Sequence, residues 1–309
     1  LHMCLAHFCM EPVVVATHNA LPDKHAIKEL MLPHLKETIG INFLARQALI
    51  PRRGALTNKT FSIGTNQGIE IASYIYKDWS FYKSSFPEEL AARGFDREGT
   101  DGLTNYLYRE DGYRLWDLLG TYVTEYVDET YGTDEKLVAD APLQAWAQEM
   151  VDPARGNIPG FPAEFSSKKQ LAEALRILIW NGSAFHSILN FPQWPYVGNI
   201  PNRPNAMYAP MPEDKGEDVT PQQIKEALAP ELGTVFQLSF TWALSLPSST
   251  SLQDLANKAS KETKAGKRFH EHMEKYTKVL HERNEKLVKE GKAPYIYLLP
   301  ENVACSIDI

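Results

Sequence analysis

Apolar residues recur at helical spacing along much of the chain. Leu115, Leu118, Leu119, Tyr122, Val123, Tyr126 and Val127 fall three, four and seven positions apart, which predicts a helix that buries one face. A second stripe, Phe269, Met273, Tyr276, Leu280 and Leu287, runs through an otherwise charged segment, the pattern of a surface helix resting on a core. Residues 21–35 and 171–190 also read as helices. The latter is apolar on nearly every side and is expected to be central. The polar, mixed-charge segment 258–267 predicts a loop leading into the final helix. Period-two alternation is scarce, and prolines concentrate in 142–162 and 192–221, so the expected architecture is mainly α with long ordered loops. No internal repeat is found.

Composition narrows the function classes. With 309 residues, 43% of them hydrophobic, the chain has enough apolar surface for a sizeable core and disorder is not expected. The net charge of −7 comes from 39 acidic and 32 basic residues without long single-sign blocks, which argues against a nucleic-acid partner. No apolar run reaches the roughly 18 to 20 residues needed to span a bilayer, since even 175–185 is interrupted by Arg176, Asn181 and Gly182. A soluble protein is expected, with at most transient contact with a membrane surface. Cys4, Cys9 and Cys305 form neither a disulfide framework nor a structural zinc pattern and read as small buried hydrophobes, which leans towards a reducing, cytoplasmic compartment. Trp180, Trp194 and Trp242 are expected in the core. The opening Leu1-His2-Met3-Cys4 lacks a basic signal-peptide region, and the expectation is a chain whose upstream portion is missing, or a renumbered one. The apolar ending Ser306-Ile307-Asp308-Ile309 is unusual, because chain ends fray in water unless something ties them down.

The candidate chemistry lies in histidine spacing. His2 and His7 are five residues apart, which on a regular α-helix sets them about 140° apart around the axis. A π-turn, with i to i+5 bonding, would bring them onto one face, and such turns occur mostly at functional sites. His186 and Asn190, at i and i+4, already share a face of an ordinary helix. Three imidazoles and an amide oxygen from two helices would make a metal site. Nine histidines in one chain also produce close pairs by chance, so satisfied core or surface groups fit the same spacings. His18, His25, His34, His270, His272 and His281 are assigned no role.

Longer motifs carry a resemblance. The stretch from His2 through Glu11-Pro12-Val13-Val14-Val15-Ala16-Thr17, Pro33-His34-Leu35 and Ile41-Asn42-Phe43-Leu44-Ala45-Arg46 resembles the lipoxygenase segment that follows the first iron-binding histidine. Trp180 to Ala184, His186 and Asn190, followed by Pro195-Tyr196 and Asn202-Arg203-Pro204, look like the third-histidine helix of that family and its exit loop. The final residue, Ile309, matches the terminal isoleucine whose carboxylate binds the metal in that family. The resemblance spans nearly the whole chain, but the family's large upstream portion, often preceded by a small β-barrel lipid-binding domain, has no counterpart here.

This resemblance implies a helical lipoxygenase-type catalytic domain, of which residues 1–309 form the C-terminal part around two central metal-binding helices. It implies ligation of one non-haem iron by His2, His7, His186, Asn190 and the Ile309 carboxylate, with Gln193 supporting the Asn190 amide. Nitrogen and oxygen donors with one carboxylate and no thiolate suit a redox-active first-row ion; iron is the first choice and manganese the alternative. The implied reaction takes a hydrogen atom from the bis-allylic carbon of a polyunsaturated fatty acid of the linoleate, linolenate or arachidonate type, then adds O2 to give a hydroperoxide. The proton goes to the metal's own hydroxide, so no side-chain acid or base is expected. Ala45 takes the place of the family's stereocontrol residue, and Leu49 and Leu56 fall where it lines the substrate channel; without the resemblance all three read as packing residues. Arg203 stands where some members pair a fatty-acid carboxylate, with a structural salt bridge as the other reading. A fragment that keeps the fold and binds lipid without turnover is the rival from another class.

Overall fold

The computed structural model describes residues 2–308 apart from 52–53, 55–63, 100–101, 211, 247–249 and 260. A π-turn at Met3–His7 runs through a short 3-10 turn into α1 (Glu11–Ala20). Then follow α2 (Ala26–Leu35), α3 (Thr38–Leu44), a π-turn at Ala45–Leu49, α4 (Thr65–Lys77) and α5 (Phe86–Ala92). The long α6 (Leu107–Tyr131) precedes α7 (Asp134–Val138) and α8 (Ala141–Val151). Next, α9 (Lys168–Trp180) continues through a third π-turn (Asn181–Phe185) into α10 (His186–Asn190). The remaining helices are α11 (Gln193–Val197), α12 (Pro221–Ala227), α13 (Glu231–Leu244), α14 (Leu252–Ala259) and α15 (Lys264–Lys289). Among the described residues the β structure is limited to one antiparallel bridge, Ser251 with Ala304.

The core forms where α6, α9 and α15 pack together, as their stripes require. Leu115, Leu119, Val123 and Val127 of α6 are fully buried, as are Leu171, Ala174, Leu175 and Ile179 of α9. From α15, Phe269 stacks on Tyr122 of α6 at 4.2 Å between ring centroids. Local signals set the ends. Ser167 caps α9 by accepting the Gln170 N–H, and Thr263 caps α15 by accepting from Gly266. Gly132, at φ +71°, follows the last residue of α6 in a left-handed conformation that a side chain would strain.

Three expectations need correction. The helix expected over 21–35 starts at Ala26, because Leu21 to His25 form a turn closed by the His25 N–H on the Pro22 carbonyl. The polar loop expected over 258–267 is short, since α14 runs to Ala259 and α15 begins at Lys264. Trp180 is in the core, but Trp194 and Trp242 are exposed by 37% and 53%. The reason for Trp242 is that α13 turns its polar residues inward: Gln237 and Thr241 are buried while Leu232, Val235 and Trp242 face outward. Cys4 and Cys305 are buried and Cys9 half-buried, all three as free thiols. No helix is long and apolar enough to cross a membrane among the described residues.

Candidate metal centre

Among the described residues, two of the three π-turns hold or flank the histidines. In the first, the Phe8 N–H donates to the Met3 carbonyl five residues back, and this wider turn removes the angular separation that an α-helix would impose on His2 and His7. Their Nε2 atoms stand 3.0 Å apart. The third π-turn ends at Phe185 and delivers His186, fully buried, against the same pair. The ring centroids are 4.7 Å (His2–His7), 5.3 Å (His2–His186) and 4.9 Å (His7–His186) apart, and one ring nitrogen from each lies within 4.8 Å of the others.

Packing holds these turns from outside. Asn42, buried on α3, donates from Nδ2 to the His7 carbonyl at 3.1 Å and to Glu11 Oε2 at 3.0 Å; Arg46 pairs with the same carboxylate and lies over the Phe8 ring. The Tyr76 hydroxyl of α4 donates to the Cys4 carbonyl inside the turn. The motif residues Glu11, Asn42 and Arg46 therefore form a clamp on the first histidine turn.

Asn190, one helical turn beyond His186, is buried with its amide set at both ends. Its Nδ2 donates to the Leu244 carbonyl at 2.6 Å, and its Oδ1 accepts from Gln193 Nε2 at 2.8 Å. This bonding assigns the amide orientation and leaves the oxygen one further lone pair.

The donor set fits a cation. Burial pulls His7 down to about 4, and burial followed by the neighbouring His7 ring takes His2 well below the ordinary imidazole value. Both rings are thus held neutral, the form that ligates metals. Two imidazoles sharing a divalent first-row ion at a right angle, each about 2.1 Å from it, would have nitrogens about 3 Å apart. That is the His2–His7 separation.

The other candidates divide. Ala45 is buried and opens the second π-turn, while Leu49 at its end is half-buried. Arg203 is exposed and lies over the Tyr196 ring, 5.6 Å from its centroid. Leu56 and Ile309 lie outside the described residues. Reasoning from sequence missed Leu244, whose contribution is a backbone carbonyl with no side-chain signature. It also missed Ser187 and His34, which hold the chain's final segment. His34 sits inside a quoted motif, which was the available signal.

The same fold is found in known proteins. A coral 8R-lipoxygenase structure matches 98% of this chain and 46% of its own with a TM-score of 0.86 at 28% identity. A lipoxygenase deletion variant determined anaerobically in complex with arachidonate matches 100% of this chain and 46% of its own with a TM-score of 0.87 at 28% identity. The mainly helical fold is therefore that of lipoxygenase catalytic-domain structures. In sequence, residues 1–296 match the lipoxygenase family. A linoleate 9S-lipoxygenase-4 of Glycine max is 38% identical over 221 residues, 69% of this chain and 26% of its own length. A linoleate 9S-lipoxygenase of Phaseolus vulgaris is 37% identical over 221 residues, 69% of this chain and 30% of its own. The chain belongs to the lipoxygenase family. It spans between a quarter and a third of these plant relatives and just under half of the solved chains.

Proposed function

We propose that this chain supplies the metal-binding, C-terminal part of a lipoxygenase catalytic domain that converts polyunsaturated fatty acids to hydroperoxides. The observation that carries the proposal is the convergence of His2, His7 and His186 from two π-turned helices, with Asn190 buried one helical turn beyond His186 and its amide oriented by Gln193. In this reading those four residues and the Ile309 carboxylate hold one non-haem iron. Imidazole, amide and carboxylate donors without thiolate suit it, although manganese would accept the same set. When bound, the ion supplies a one-electron oxidant for a bis-allylic C–H bond, whose radical then takes up O2. The part of this chain is positional: buried neutral rings keep competing protons off the ligating nitrogens, and Gln193 and Leu244 fix the amide. Ala45 and Leu49, on the π-turn next to the Asn42 clamp, are proposed to line the fatty-acid channel, together with Leu56. Arg203 is proposed at its inner end.

Substrate class follows the relatives. Two plant relatives are named for linoleate and one structural neighbour holds arachidonate, which supports a fatty acid of that type; O2 as co-substrate is part of the proposed reaction. The upstream part of the domain would complete the channel. The test is metal analysis of the full-length protein together with conjugated-diene absorbance on adding linoleate. Turnover should fall to background in His186→Ala, and one residue added after Ile309 should abolish metal binding. Unchanged turnover in His186→Ala sinks the proposal.

A further inference from the structure

The first histidine turn changes its hydrogen-bond register twice within a few residues. In an α-helix each N–H serves the carbonyl four residues back. Here the Phe8 N–H donates to Met3, five back, and the Glu11 N–H then donates to Phe8, only three back. Each change takes an α-helical donor away from one carbonyl: Phe8 would have served Cys4, and Glu11 would have served His7. Those two carbonyls are the ones that receive side-chain donors from other helices. The Tyr76 hydroxyl of α4 donates to Cys4, and Asn42 Nδ2 of α3 donates to His7 at 3.1 Å.

Asn42 is fully buried, and its Oδ1 has no hydrogen-bond partner among the described residues. A leucine of similar size would avoid the cost of that unsatisfied oxygen, so packing alone does not account for an amide here. Both partners of Nδ2, the His7 carbonyl and the Glu11 carboxylate, can only accept, which fixes the amide orientation. Arg46 pairs with the same carboxylate and so holds Glu11 where its own N–H meets Phe8. Tyr76 is half-buried, with its ring against Trp79 at 6.3 Å between centroids and its hydroxyl on the turn.

We propose that Tyr76 and Asn42 select the π register of the Met3–His7 turn over the α register, and are thereby positioning residues for the two nitrogens that His2 and His7 present to the metal. The inference rests on the metal reading of the same site. The competing register is close at hand. With Phe8 bonded to Cys4 and Glu11 to His7 the turn would be α-helical, and the two rings would stand about 140° apart around the axis. The α form gives both carbonyls a backbone donor, which the π form withholds. Tyr76 and Asn42 restore a donor to each and remove that penalty, so the 3.0 Å separation of the Nε2 atoms becomes a property of the protein's packing.

The experiment uses the full-length protein loaded with iron(II). Release of the metal to a chelator gives a rate, and X-ray absorption at the iron counts imidazole ligands through their outer-shell scattering. Tyr76→Phe removes one oxygen and keeps the ring, whereas Asn42→Leu keeps the volume and loses the donor. Each should release iron about 10- to 100-fold faster than wild type, and in the double variant the imidazole count should fall from three to two. Arg283→Met, which strands the buried Asp111 between α6 and α15, serves as the control for lost stability alone. It should keep three imidazoles and a release rate within about threefold of wild type. If Asn42→Leu fails to fold, Tyr76→Phe carries the test. Wild-type protein that takes up neither iron nor manganese removes the metal reading and this inference with it. Wild-type protein that holds metal while the Tyr76 and Asn42 variants keep its imidazole count and release rate removes this inference alone, as does Arg283→Met releasing iron as fast as Tyr76→Phe.

Discussion

The Gln193 amide donates to Asn190 Oδ1 at 2.8 Å from α11, across the short turn that ends α10. With the Leu244 carbonyl accepting from Nδ2 of the same residue, the amide plane is held at both ends. Gln193→Leu removes one hold and leaves the other. Partners of this kind typically contribute 10- to 100-fold in metal affinity, so iron occupancy after dialysis should fall clearly below wild type while Gln193→Glu behaves differently from Leu. Full occupancy in the Leu variant would show that Leu244 suffices.

Burial holds His34 down to about 4, against the ordinary 6.5 expected in the unfolded chain. Between these values the unfolded chain binds a proton that the folded protein refuses, so stability falls as pH drops from about 6.5 to about 4. Above about 6.5 the contribution is complete. One such residue accounts for about 3 kcal/mol at most, and His7, depressed to about 4 by its own burial, acts in the same window in metal-free protein. Urea titrations of the metal-free protein at about pH 7 and about pH 4.5 should show this loss, reduced in His34→Asn. An identical loss in the variant contradicts the assignment.

Asp111, 1% exposed on α6, is paired by Arg283 of α15, which also donates to the Tyr295 carbonyl. Burial pushes the Asp111 carboxyl above its usual range even though the guanidinium opposes this. Arg283→Met strands a buried carboxylate and should cost about 3–5 kcal/mol in denaturant unfolding. Replacing Asp111 by Asn in the same chain should recover part of that cost. A double variant as unstable as the sum of the single ones would deny the coupling.

Trp180 is the last residue of α9 before the third π-turn, with Phe86 at 4.5 Å and Trp116 at 5.6 Å between ring centroids. Trp180→Ala should destabilise by about 3–5 kcal/mol, because close packing limits how far the site can collapse. Calorimetry of the metal-free protein measures it. A loss under about 1 kcal/mol would mean that the aromatic cluster is loosely packed.

The sequence by itself determined the helical class, the stripes of α6 and α15 and the candidate spacings. These are local properties, in which hydrophobic period and residue type need only neighbours within a few turns. The His2–His7 pair was readable as a π-turn for the same reason, since five-residue spacing has one helical solution that puts both rings on a face. Only the tertiary structure decided that α13 turns Gln237 and Thr241 inward, that Arg203 lies on a tyrosine ring, that the Leu244 carbonyl holds the Asn190 amide, and that Ser187 and His34 bond residues 304 and 305. The last three join residues tens to hundreds of positions apart, two of them through a backbone carbonyl that every residue possesses. Which carbonyl meets which side chain is fixed by how whole helices pack, and no local pattern encodes it.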